Sequence, residues 1–138
     1  MNVSAYQQYR RVQLQTATPS ELVLMLYDGA VRFLAQAEAA MAGQDIKAAH
    51  GAVLRAQAIL EELMACLRQD DNQIGPALMS LYAYMHRRLM EANVRKDAGR
   101  VREVRGLLER LRDAWREAVR ATAASVQEGT TVALSPPA

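Results

Sequence analysis

The chain has 138 residues, room for one compact domain and too few for two of ordinary size. Hydrophobic residues make up 51% of it, but alanine alone fills 25 positions and aromatics only 5%, a mix that favours helix over sheet and argues against an all-β domain. Seventeen basic against 15 acidic residues leave a net +2, too little for a field that would grip nucleic acid over a broad surface. The single Cys66 supplies neither a disulfide nor a thiolate metal site, so the cytosol is the expected compartment. Arg10 and Arg11 are followed by no apolar signal-peptide core, and the longest apolar run, Leu22 to Tyr27, is far shorter than a membrane span.

Residues 1–17 read as a leader or cap segment in which Tyr6, Tyr9 and Val12 recur at helical spacing. Thr18-Pro19-Ser20-Glu21 then signals a helix start: Thr18 caps, Pro19 fits the first helical position and Glu21 reaches back to close a capping box. This first helix is expected to run to about Ala42, before Gly43. Asp45 opens a second, to about Arg68, and the polar stretch 69–73 interrupts the pattern. A third begins between Asn72 and Gly75, with Pro76 in its first turn, and ends near Lys96. Asp97 caps a fourth, expected to reach about Val126. Gly129, two threonines and Pro136-Pro137 mark 127–138 as a tail.

Apolar spacing supports this division. The second helix repeats at Ile46, Ala49, Val53, Ala56, Leu60, Leu63 and Leu67, and the fourth at Val101, Val104, Leu108, Leu111, Trp115 and Ala118. Long helices joined by short connections pack as antiparallel neighbours, so the expected fold is all-α: an up-down-up-down four-helix bundle over residues 18–126. The first and third helices carry more apolar surface than one core stripe needs. Leu22, Leu26, Gly29 and Phe33 form one stripe of the first helix, Val23, Tyr27, Ala30, Leu34 and Met41 a second, with Leu24 and Val31 beyond. The third helix turns Ile74, Leu78, Leu81, Met85, Leu89 and Ala92 one way and Met79, Ala83, His86 and Met90 another. Surplus apolar surface marks an interaction site, and methionine suits one because its unbranched side chain repacks around different partners.

Catalytic constellations are missing from the pattern. No Glu has a His three residues later, as a bundle di-metal site requires, and no glycine-rich phosphate loop occurs, so no metal or cofactor is expected. His50 and His86 are the only candidates for a histidine phosphotransfer module, the alternative function, but no lysine stands close after His50 to stabilise a phosphoryl group. Nine of the 17 basic residues fall within 95–120, yet Glu103, Glu109, Asp113 and Glu117 interleave with them at helical spacing, the pattern of a solvated face rather than a nucleic-acid surface. A structural homo-oligomer, such as a homodimer burying the surplus surface on itself, is a third reading.

Five segments in order resemble a known family. Ala5-Tyr6-Gln7-Gln8-Tyr9 and Thr18 to Ala30 (TPSELVLMLYDGA) are similar to the opening of the flagellar secretion chaperone FliS family, and the likeness continues through Ala58 to Leu63, Leu81 to Leu89 and Leu111 to Trp115. Ser20 stands where that family commonly has glycine. The resemblance implies an antiparallel helical bundle that binds the disordered C-terminal segment of newly made flagellin in the cytosol, prevents its premature polymerisation and delivers it to the flagellar type III export gate, without enzymatic activity. It further implies a leader near the client groove. The expectation drawn from both lines of reasoning is that the client lies along grooves edged by the first and third helices, meeting Tyr6, Tyr9, Val12, Leu24, Val31, Met79, Ala83 and Met90.

Overall fold

Capping side chains set where the helices start. The computed structural model describes residues 17–68 and 75–134, and places in them α1 (Pro19–Ala42), α2 (Ile46–Arg68), α3 (Gly75–Arg95) and α4 (Ala98–Leu134). At α1 the expected capping box forms in full: the Glu21 amide donates to Thr18 Oγ1 and the Thr18 amide to Glu21 Oε2, both at 3.2 Å. Asp45 Oδ1 accepts from the Ala48 amide at 3.2 Å to cap α2, and Asp97 Oδ1 from the Gly99 amide at 2.9 Å to cap α4. Among the described residues α3 begins at Gly75, and Asn72, the other expected start, lies outside them; Pro76 stands in the first described turn, where its missing N–H costs nothing.

α1 ends where expected, at Ala42 with Gly43 as its C-cap; the left-handed residue is the next one, Gln44 at φ +58°, whose successor Asp45 donates a 2.8 Å bond back to the Ala40 carbonyl. The α3–α4 turn repeats the device with Lys96 at φ +52° and Asp97 bonded to the Ala92 carbonyl at 3.0 Å. The end of α4 differs from expectation: the helix continues to Leu134, past the expected end near Val126. A lone Gly129 weakens a helix by about 1 kcal/mol without breaking it.

The four helices form a ring in chain order. α1 packs on α2 and α4, and α3 on the same two, so α1 and α3 occupy opposite corners. Neighbours run in opposite senses. Ser20 and Glu38 of α1 meet Trp115 and Arg105 of α4, Tyr84 and Arg88 of α3 meet Glu103, and His86 and Asn93 meet Glu61 and His50 of α2.

The core sits where the predicted stripes converge: Tyr27, Ala30, Leu34 and Ala37 from α1, Val53, Ala56, Leu60 and Leu63 from α2, Tyr82, Met85, Leu89 and Ala92 from α3, and Val101, Val104 and Leu108 from α4. Of the two stripes on α1, it is the one containing Tyr27 and Leu34 that faces inward. Alanines at 30, 37, 56 and 92 are fully sealed, letting the helices approach closely, while each buried leucine contributes about 1.5–3 kcal/mol by leaving water. Ile46 departs from its predicted stripe and is 65% exposed at the first residue of α2, while Ala49 of the same turn is sealed.

One polar contact crosses the core. The Tyr27 and Tyr82 hydroxyls meet at 2.5 Å between the diagonal helices, and burial pushes both phenols well above their ordinary ionisation range. Outside the core, Asp28 pairs with Arg112 of α4 at 3.4 Å. Glu103 accepts from the Tyr84 hydroxyl at 2.5 Å and Arg88 Nε at 2.8 Å, and these two bonds, the tyrosine's foremost, hold its carboxyl below the usual carboxylate value.

Two outcomes follow from these contacts. Tyr27→Phe strands the Tyr82 hydroxyl and lowers unfolding free energy by about 1–3 kcal/mol, whereas Tyr27→Phe with Tyr82→Phe restores most of the loss, as urea denaturation of the cycle will measure. Because Glu103 has a lower pKa folded than unfolded, its bonds stabilise fully above the unfolded value and weaken as pH falls through the folded one. Glu103→Gln therefore melts below the parent at neutral pH, and melting curves taken into acid show the gap closing.

Candidate binding groove

Three of the four seams between neighbouring helices are covered by polar or stacked side chains. Between α1 and α4, Glu38 pairs with Arg105 and with Arg102 at 3.2 Å, and the Trp115 indole N–H donates to the Ser20 carbonyl at 3.1 Å. Between α3 and α4, Arg88 and Tyr84 converge on Glu103. Between α1 and α2, the Arg55 guanidinium lies 5.7 Å from the Phe33 ring centre, and Ile59 packs close against Gly29.

The α2–α3 seam is different. A cleft of about 420 Å³ runs along it, lined by Leu54, Gln57, Ala58 and Glu61 from α2 and by His86, Met90, Asn93 and Val94 from α3. Leu54 is 48% exposed, Met90 52% and Val94 86%, and with Ile46 these are the large hydrophobics left exposed among the described residues. Ile46 belongs to a second cleft at the foot of the same seam, with Met41, Ala49 and Lys96. Two polar links span the groove: Asn93 Nδ2 lies 2.9 Å from His50 Nδ1, and His86 Nε2 3.1 Å from Glu61 Oε1. Both histidines thus serve as rim groups bonded across the seam. Among the described residues no cluster of His, Cys, Asp and Glu has the makings of a metal site, and no helix is long and apolar enough to cross a membrane.

The predicted contact residues divide among separate surfaces. Met79, Ala83 and Met90 fall on the α3 stripe that continues through His86 to Val94, with Met79 half-buried and Ala83 and Met90 exposed. Leu24 and Val31, both half-buried, stand on the side of α1 between Asp28 and Glu38, whose carboxylates pair with α4. Their seam is on the opposite side of the ring from the groove, so no single groove is edged by α1 and α3. Tyr6, Tyr9 and Val12 lie outside the described residues. Leu54, Ala58 and Val94 were missed by sequence reasoning. Extending the 79-83-86-90 spacing by four would have reached Val94, but Leu54 adjoins the buried Val53 in sequence, and only the packing of α3 shows that the two face different ways.

A third cleft, about 510 Å³, opens at the other end of the bundle among Ala17, Pro19, Leu22, Val23, Cys66 and Trp115. It lies where the chain enters α1. Stability measurements distinguish groove from core: Val94→Ser changes unfolding free energy by less than about 0.5 kcal/mol, whereas Leu89→Ala, one turn away but sealed, lowers it by about 2–5 kcal/mol.

Comparison with known proteins finds relatives over most of the chain. The family described as "Flagellar protein FliS" matches residues 2–122, which span the leader, all of α1 to α3 and most of α4. The flagellar secretion chaperone FliS of Bacillus subtilis is 36% identical over 114 residues, covering 83% of this chain and 85% of the relative. The protein of the same name from Salmonella typhimurium is 38% identical over 106 residues, 75% of this chain and 78% of its own. That from Escherichia coli is 32% identical over 108 residues, with 77% and 79% covered. These relatives are named as chaperones, not enzymes. With the family matched over most of its length, the chain belongs to the FliS family of flagellar proteins.

Proposed function

We propose that this protein is a cytosolic export chaperone that holds the C-terminal segment of flagellin along the α2–α3 groove, keeps it from polymerising early and presents it to the flagellar type III export gate. The observation that carries the reading is the gathering of Ile46, Leu54, Met90 and Val94, the exposed large hydrophobics of the described residues, along one seam, while ion pairs cover the α1–α4 and α3–α4 seams. Family membership supports the flagellar context, since the named relatives are flagellar secretion chaperones.

A client that is disordered when free must be ordered on binding, at a cost on the order of 2–5 kcal/mol, which burial of roughly 1,000–3,000 Å² offsets. A cleft of about 420 Å³ accommodates part of such a segment, so the client extends beyond it. Met79 and Ala83 continue the apolar track toward the start of α3. Leu24 and Val31 on the far seam form a second contact for a segment that wraps the bundle, and Tyr6, Tyr9 and Val12 of the leader cover the client surface until it is displaced. Methionine at 79 and 90 adapts to side chains of different shape, which suits a chaperone that must also release what it holds.

Calorimetric titration with a flagellin C-terminal segment tests the assignment. Met79→Asp with Met90→Asp places charges on the track and weakens binding at least tenfold while melting stays near the parent's; a folded double variant with parental affinity rules out this groove. Deletion of residues 1–15 tightens binding when the leader is a lid, and weakens it when the leader itself contacts the client.

A further inference from the structure

Two side-chain links cross the α2–α3 seam, one toward each end of its cleft. Asn93 Nδ2 lies 2.9 Å from His50 Nδ1 at the foot, and His86 Nε2 lies 3.1 Å from Glu61 Oε1 at the other end. His50 and Glu61 stand about three turns apart along α2, roughly 16 Å, with Leu54 and Ala58 of the cleft lining between them. The Glu61 side chain is 64% exposed and that of His86 24%, so the second link stands at the surface, above the sealed core.

The partners fix which way each hydrogen bond runs. A carboxylate only accepts, so His86 donates from Nε2. An ammonium only donates, and Lys96 Nζ bonds both the Asn93 carbonyl, at 2.7 Å, and Asn93 Oδ1. That pins the Asn93 amide with Nδ2 toward His50, whose Nδ1 is therefore the acceptor and carries no proton. An added proton acts oppositely at the two ends. On His86 it turns a neutral hydrogen bond into a charge-assisted one, roughly twice as strong. On His50 Nδ1 it sets two donors face to face, and Lys96 keeps the amide from turning over. Other charged groups do not take these places: Lys47 stands one turn before His50, Glu62 and Arg87 adjoin the Glu61–His86 link in sequence, and Asp28, Glu38 and Glu103 of α1 and α4 pair on other seams. Tyr82, a turn before His86, bonds Tyr27 in the core.

We infer that the two links are clasps over the binding groove, which the client parts in order to occupy it, and that a proton shifts closure from the His50 end to the His86 end. The inference rests on the flagellin reading above, because the track from Leu54 and Met90 to Ala83 and Met79 passes between His86 and Glu61. Imidazole is the side chain that ordinarily changes charge between about pH 5 and 8, and the clasps exchange across that interval. Opening the groove thus costs the client one imidazole link at either extreme, a different one in acid than in mild alkali.

Titration of the full chain with the flagellin C-terminal segment at about pH 8 and about pH 5.5 is the test, with each variant compared with the parent at the same pH so that titration of the client cancels. His50 and Glu61 are exposed, and alanine at either position favours the helix. His50→Ala is expected to tighten binding about twofold at the higher pH and to leave it unchanged at the lower, whereas Glu61→Ala tightens it about twofold at the higher pH and about fivefold at the lower. Weaker binding in either variant makes that side chain a client contact and overturns the clasp. Parental affinities, or gains that do not differ between the two pH values, overturn it as well. Long-range proton–nitrogen spectra of the free protein at about pH 8 give a readout without the client: both imidazoles are expected as Nε2–H tautomers, and an Nδ1–H tautomer at His50 overturns its place as acceptor. Met79→Asp with Met90→Asp separates the inference from its premise. Loss of binding there, with unresponsive clasp variants, overturns the clasps and leaves the groove in place; retained binding overturns both.

Discussion

A helix in a ring of four turns only about 100° of its circumference toward the centre, and this limit governs the molecule. The core is filled by one stripe from each helix, with small alanines at 30, 37, 56 and 92 between the larger residues, so the centre closes tightly and holds no more. Apolar residues outside that stripe are forced to the seams, where they are covered by a neighbour or left facing water. The exposed Leu54, Met90 and Val94 of the α2–α3 seam are this excess.

The seams resolve the excess unequally. α4 carries most of the arginines of the bundle, and they reach α1 through Glu38 and Asp28, while Arg88 of α3 reaches back to Glu103. Individually such exposed pairs contribute little. Together they set the register of α4 against both neighbours and surround the half-buried Leu24, Val31 and Trp115 with polar rims. α2 and α3 face each other without an arginine–carboxylate pair among the described residues, linked instead by two imidazole contacts. That seam is therefore held mainly by the core beneath it, and its outer surface is free for an occupant.

The buried Tyr27–Tyr82 contact supplies specificity of another kind. It joins the two helices that do not otherwise pack as neighbours, and its geometry is satisfied only when α1 and α3 face each other across the core. A ring with a different order would bury at least one hydroxyl without a partner. The contact thus favours the arrangement in which α3 is free to form the groove with α2.

Much of this was legible along the chain. Thr18 with Glu21, Asp45 and Asp97 act through bonds spanning three residues or fewer, so the starts of α1, α2 and α4 follow from local chemistry, and the 3.6-residue period identifies the core stripes of α2 and α4. The surplus on the third helix was equally visible, because a second stripe at 79, 83 and 90 stands out whatever it packs against. What local reasoning cannot supply is which helix stands beside which. Two adjacent apolar stripes on α1 are equivalent by periodicity, and only the positions of α2 and α4 make Tyr27 and Leu34 core and leave Leu26 and Phe33 of the other stripe partly buried. Leu54 and Val94 come to line one cleft for the same reason: an amphipathic pattern specifies that a face is apolar, while the partner across it is decided when distant segments meet.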